Sequence, residues 1–142
     1  MLEYYENRQS EYESIYSKPE RQEDLAWLSD QLQKFTTDSN VFELACGTGY
    51  WTRRMVAYAS SVHATDLSPQ LVTAALASCI GGKSSGSTID AFNLPENLES
   101  AYDCLVAGFL FSHILIEQRQ SFLKGIVKAI GAGARLVLFD NR

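Results

Sequence analysis

The stretch Val41-Phe42-Glu43-Leu44-Ala45-Cys46-Gly47-Thr48-Gly49-Tyr50-Trp51-Thr52 decides how the chain is read. Its first half is an apolar run with a single acid, Glu43, inside it. Its second half sets Gly47 and Gly49 one residue apart. An apolar run ending in a glycine turn reads as a buried strand entering a helix. Strand 1 is expected over residues 41–45 and the helix over about 49–59. The two glycines permit backbone angles closed to other residues and let a ligand come close to the main chain.

Working outward, helices and strands alternate. Upstream, Leu25, Leu28, Leu32 and Phe35 recur at i, i+3, i+7 and i+10, the stripe of an amphipathic helix over residues 21–35. Downstream, strand 2 is expected over 61–65, with Asp66 at its end. Ser68-Pro69 opens a helix, because serine caps and proline suits the first helical position. Leu71, Val72, Ala75, Leu76 and Ile80 make its apolar face, and Gly81-Gly82 stops it. "GGKSSGS" reads as a flexible loop, followed by strand 3 over about 87–91. Strand 4 is expected over 104–109 and strand 5 over 135–139. The helix between them is expected over 116–130, with Phe122, Leu123, Ile126, Val127 and Ile130 on its buried side. Such alternation implies βαβ units, right-handed crossovers and a parallel sheet with helices on both faces. Strands that are apolar throughout fit a sheet covered on both sides.

Composition narrows the function classes. The 142 residues are 46% hydrophobic, which suits one domain with one core. The net charge is -5 and the 12 Lys and Arg are scattered, so no nucleic-acid surface is evident. Cys46, Cys79 and Cys104 form no Cys-x-x-Cys pair and read as free thiols in a reducing compartment, with no metal site. "MLEYYENRQSEYE" is polar and aromatic rather than a secretory leader, and no apolar run nears the ~20 residues that span a bilayer. A cytoplasmic chain without a membrane partner is expected.

In an open parallel sheet, ligands bind beyond the carboxyl ends of the strands, where the strand order reverses. Gly47 and Gly49 belong there. Asp66, at the end of strand 2, is placed to accept hydrogen bonds from the hydroxyls of a ribose, or else to cap a turn. A dinucleotide fingerprint would have a third glycine where Thr52 stands, next to Trp51. Glu43 would also set negative charge near a pyrophosphate. Both features favour a ligand with a ribose and a positive end over one with phosphates. The chain also lacks the Tyr-x-x-x-Lys pair of a nicotinamide oxidoreductase.

"FELACGTGYWT" resembles the first motif of class I S-adenosylmethionine-dependent methyltransferases, with Ala45 where many members have a glycine. "ATDLSPQLVTAA" resembles the second motif, "IDAFNLPE" the third, "YDCLVAGFLFSHI" the fourth strand and its sequel, and "GARLVLFDNR" the fifth. The resemblance covers about residues 40–142 in the family's order. It implies an α/β fold, a Rossmann-like doubly wound sheet of strand order 3-2-1-4-5, with S-adenosylmethionine as cofactor. Residues 1–38 would be a helical cap on a core of residues 39–142, the two forming one structural domain.

The resemblance also assigns roles. Backbone at Ala45, Cys46, Gly47 and Gly49 would line the methionine part, beside Trp51 and Thr52. Glu43 would either meet the ammonium or cap loop amides. Asp66 would hold the ribose and Leu67 would pack on the adenine. Asp90 with Ala91 would lie at the adenine amino group or form a solvated turn. Phe92 would stack on the base or belong to the core. Gly108 would let strand 4 approach the cofactor or mark a bulge. His113 would orient the acceptor, serve as general base, or be structural. His63 reads as structural. Tyr4, Tyr5, Tyr12, Tyr16 and Trp51 would supply a lid, favoured by cation–π attraction to a sulfonium.

Members of the class usually continue past strand 5 with a helix and an antiparallel hairpin. The sequence stops after "LVLFDNR", so the hairpin is expected to be missing and strand 5 to be an edge open to a homodimer. Two functions follow. One is a methyltransferase acting on an unidentified acceptor, a small molecule by preference. The other is a non-catalytic S-adenosylmethionine-binding or interaction protein on the same fold.

Overall fold

The computed structural model describes residues 16–140. A short 3-10 turn, Pro19–Arg21, leads into helix α1, Gln22–Thr36. Strand β1 is Asn40–Leu44, α2 is Tyr50–Met55, β2 is Ser61–Asp66 and α3 is Pro69–Ala77. Then come β3, Ser84–Thr88, β4, Cys104–Gly108, α4, Ile116–Ile130, and β5, Arg135–Phe139. The described strands form one parallel sheet of order β3-β2-β1-β4-β5, as expected.

Alternation along the central strands builds two cores. Val41, Val62, Cys104 and Val106 face one side and pack with Leu25 and Leu32 of α1 and with Trp51 and Met55 of α2. Phe42, Leu44, Leu105 and Ala107 face the other and pack with Phe122, Ile126 and Ile130 of α4. Side chains in a strand point alternately to opposite faces, so both parities of a strand buried on both sides must be apolar. Glu43 shares the parity of Val41 and is the exception.

Local signals hold where the chemistry is local. The Ser68 hydroxyl accepts from the Leu71 N–H at 3.2 Å, and Pro69 takes the first helical position of α3. Other expectations need correction. Strand 3 spans Ser84–Thr88, three residues earlier than expected, and begins inside the stretch read as a loop. The ladder to β2 outweighs the poor strand propensity of "SSGST". His63 fixes this edge, its ring nitrogens lying 2.7 Å from Ser85 Oγ and 2.8 Å from Ser87 Oγ. The helix after the glycine turn ends at Met55, and turns carry the chain to β2. Ile80 lies beyond α3 and is 91% exposed. Val127 faces solvent and Ala129 takes its place in the core, while Phe35 is exposed and Thr36 is buried.

Candidate functional site

A pocket of about 530 Å³ opens at the carboxyl ends of the strands. It straddles β1 and β4, where the strand order reverses. Its floor is the loop after β1. Ala45 and Gly47 have positive φ angles of 54° and 55° there, so the main chain turns sharply. A Cβ on Gly47 would meet nothing within 4 Å, so open space stands directly over this backbone. Gly49 differs. At φ 93° it begins α2, and its Cβ would fall 2.7 Å from Ala75 Cα and 2.8 Å from Ser78 Oγ of the α3 segment. Gly49 serves helix packing and does not line the pocket.

Asp66 ends β2 and lines the pocket. One of its oxygens accepts from the Gly47 N–H at 3.0 Å and the other from the Ser68 N–H at 3.2 Å. The acid thus ties the β1 loop to the start of α3. Each carboxylate oxygen can accept more than one bond, so these ties leave capacity for ligand hydroxyls.

Glu43 lies beneath the floor. It is buried, does not line the pocket, and accepts a hydrogen bond from the Thr52 hydroxyl. Burial raises its pKa from the ordinary 4.5 to about 7, the Thr52 bond opposes this, and the charge of Asp66 adds to it. Thr52 is also buried and off the pocket wall. The position that lacks a third glycine therefore holds the partner of the strand acid. Cys46 lines the pocket, and burial together with Glu43 and Asp66 pushes its thiol far up, so it is a thiol at neutral pH.

The wall beyond β2 and β3 carries Leu67, Asp90, Ala91 and Phe92. Asp90 accepts from the Phe92 N–H at 2.9 Å, a side chain-stabilised turn that leaves Phe92 53% exposed. Leu67 is 49% exposed. Two apolar surfaces thus flank the two acids.

The opposite wall is aromatic. Tyr16 stacks on Tyr50 with centroids 3.8 Å apart, and both rings, with Trp51 and Phe109, line the pocket. Trp51 is buried and packs edge to face on Tyr50 at 4.8 Å. Of the lid expected from the N-terminal tyrosines, Tyr16 stands on this wall, and Tyr4, Tyr5 and Tyr12 lie outside the described residues. Gly108 lines the pocket, but its missing side chain makes room for the Phe139 ring. Phe109 follows at φ 58°, held by its N–H donating to the Phe139 carbonyl at 2.8 Å. A bulky residue in the left-handed region costs about 1–2 kcal/mol, and such strain clusters at functional sites. His113 ends the short turn Phe111–His113 and lines the pocket, solvent-exposed.

The structure thus gathers Ala45, Cys46, Gly47, Trp51, Asp66 and Leu67 with Asp90, Ala91, Phe92, Gly108 and His113 around one pocket. Glu43, Gly49 and Thr52 stand behind its wall. Tyr50, Phe109 and Gln118 also line it and were not expected. Only the apolar character of Tyr50 and Phe109 was visible, which marks core as readily as site. No group of three potential metal-ligating side chains occurs among the described residues, and none of their helices is long and apolar enough to cross a membrane.

A family model described as a methyltransferase domain matches residues 42–136, and the chain belongs to that family. The fold is that of class I methyltransferases. DhpI, solved as a complex with SAH, superposes with a TM-score of 0.81 at 24% identity over 96% of this chain and 65% of that one. The DhpI-SAM-HEP complex gives a TM-score of 0.78 at 25% identity, covering 96% of this chain and 62% of that one. The N-methyltransferase NodS from Bradyrhizobium japonicum WM9, in complex with S-adenosyl-L-homocysteine (SAH), gives 0.77 at 16% identity, covering 96% and 71%. The chain therefore spans just under two thirds of the DhpI structures it matches. No curated protein matches it.

Proposed function

We propose that the chain binds S-adenosylmethionine in this pocket and transfers its methyl group to a small-molecule acceptor. The observation that carries the reading is the Asp66 carboxylate between open backbone at Gly47 and the apolar faces of Leu67 and Phe92. Membership of the methyltransferase-domain family and the complexes of DhpI and NodS with SAM or SAH support it. Asp66 is the acceptor for ribose hydroxyls. Leu67, Ala91 and Phe92 enclose the adenine, with Asp90 at its edge. The loop Ala45–Gly47 faces the methionine part. The pocket volume suits a nucleoside-sized ligand with room beside it.

S-adenosylmethionine supplies an activated methyl group and a neutral leaving thioether. Held by Asp66 and the loop Ala45–Gly47, it would supply that methyl to the acceptor's lone pair and leave as the neutral thioether. A proton leaving the acceptor passes to His113 and then to solvent. The protein's work is alignment and exclusion of water, for which the aromatic wall is suited.

Calorimetric titration with S-adenosylmethionine and with SAH tests the reading, with Asp66→Ala as the control. Micromolar binding that the variant loses is the expected result. A folded chain that binds neither would end the reading. Binding without turnover on any acceptor would leave a non-catalytic cofactor-binding protein.

A further inference from the structure

From the wall that the adenosine reading leaves over, we infer that the acceptor is an uncharged, largely apolar molecule presenting a single hydroxyl. The inference rests on the proposed cofactor site. With the ribose at Asp66 and the adenine beyond β2 and β3, the acceptor must enter from the β4 side of the sheet. That side is Phe109, Leu110, His113, Ile114, Leu115 and Gln118, faced by the Tyr16–Trp51 aromatics. Its residues offer stacking and apolar contact at most points, one imidazole and one amide.

Charge decides the class. The acids on the pocket wall are Asp66 and Asp90, and no Lys or Arg lines it among the described residues. The guanidiniums of Arg53, Arg54 and Arg119 stand near the pocket without lining it, Arg53 lying 5.4 Å from the Tyr50 ring centroid. Arg54 donates to the Tyr50 carbonyl at 2.8 Å and lies 3.4 Å over the Tyr50 ring. Arg119 donates to the Ile114 carbonyl at 3.0 Å and lies 5.0 Å over the Phe111 ring. A carboxylate or phosphate on the acceptor would lose its hydration against the apolar β4-side wall and find no Lys or Arg among the described residues that line it. Desolvating an unpaired anion costs far more than such contacts return. An uncharged acceptor loses nothing comparable and gains the aromatic surface. The imidazole then has a specific task. A hydroxyl must give up its proton as its oxygen takes the methyl carbon, and His113 is the titratable side chain of the β4 segment of the wall. Gln118, in the first turn of α4, lines the same wall and is placed to hold the hydroxyl by its amide.

The test is calorimetric, on the intact chain. SAH is titrated first. The saturated complex is then titrated with phenol and 2-naphthol, and in parallel with 4-hydroxybenzoate and 6-hydroxy-2-naphthoate. The expected result is SAH binding, followed by binding of the uncharged member of each pair at least tenfold tighter than its carboxylated counterpart. Failure to bind SAH overturns the cofactor reading and this inference with it. SAH binding with equal or tighter binding of the carboxylates, or with no binding of either neutral phenol, overturns the acceptor inference alone. Leu115→Lys supplies the second arm, because Leu115 is 58% exposed and tolerates a long polar chain. It is expected to shift the ratio toward the carboxylates by tenfold or more. An unchanged ratio would place the acceptor away from this wall and also overturn the inference.

Discussion

The Thr52 hydroxyl, at the start of α2, donates to the Glu43 carboxyl buried beneath the loop that joins their elements. An acid inside an apolar strand is costly when charged, and this one is held near the balance point, its pKa raised to about 7. A folded-state pKa above the unfolded value makes the protonated form the stabilised one. The stabilisation is therefore complete below pH 4.5 and lost as pH rises through about 7. The span corresponds to roughly 3 kcal/mol as an upper bound. Thermal unfolding measured from pH 5 to pH 8 is expected to show this falling component, and Glu43→Gln is expected to flatten it. A wild-type slope that survives the substitution would assign the titration to another group.

Asp66 couples two segments, so its loss should be felt twice. Asp66→Ala leaves the Gly47 and Ser68 N–H groups without their carboxylate. Hydrogen bonds to a charged group are worth about 1.5–3 kcal/mol each, so SAH affinity is expected to fall at least about tenfold. Asp66→Asn keeps one accepting oxygen and should lie between wild type and alanine. Equal affinity in all three proteins, measured by calorimetry, would remove Asp66 from the site.

Gly108 and Phe139 form a cross-strand pair in which the ring occupies the glycine's side-chain space. A Cβ on Gly108 would fall 2.5 Å from Phe139 Cε2, and the two residues stand opposite each other in the β4–β5 ladder. Gly108→Ala is expected to cost about 1–3 kcal/mol through overpacking. Adding Phe139→Leu should recover part of that loss, because the smaller side chain clears the contact. Chemical denaturation of the four proteins in the cycle measures the coupling. Additive losses would show that the ring simply moves aside.

Features carried by neighbours in sequence were legible, and those carried by neighbours in space were not. Ser68-Pro69 announces α3 because capping acts over three residues. The switch-point loop is announced by its own glycines and by Asp66. The position of β3 was hidden, since "SSGST" becomes a strand only by pairing with β2. The reason for Gly108 lies in β5, and the reason for Glu43 lies in α2. Tyr50 and Phe109 show only apolar character in the sequence; Tyr50 is buried in the core, Phe109 is half-buried against it, and both also face the pocket.

The two loop glycines look alike in sequence and should behave differently when changed to alanine. Gly47 sits at φ 55° with open space around its Cβ position, and Ala45 in the same loop already adopts 54°. Gly47→Ala is expected to cost about 1–2 kcal/mol in stability, the usual penalty of the left-handed region. Its methyl would stand in the space over the loop, so the larger effect should be on SAH affinity. Gly49→Ala meets the Ala75 backbone at 2.7 Å and carries a φ of 93° as well. Backbone cannot step aside as a side chain can, so α2 and α3 must separate. A loss of about 3 kcal/mol or more is expected. Paired melting and calorimetry separate the two effects. If Gly47→Ala proves the more destabilising, or Gly49→Ala melts like wild type, the division between a ligand-facing and a packing glycine is wrong.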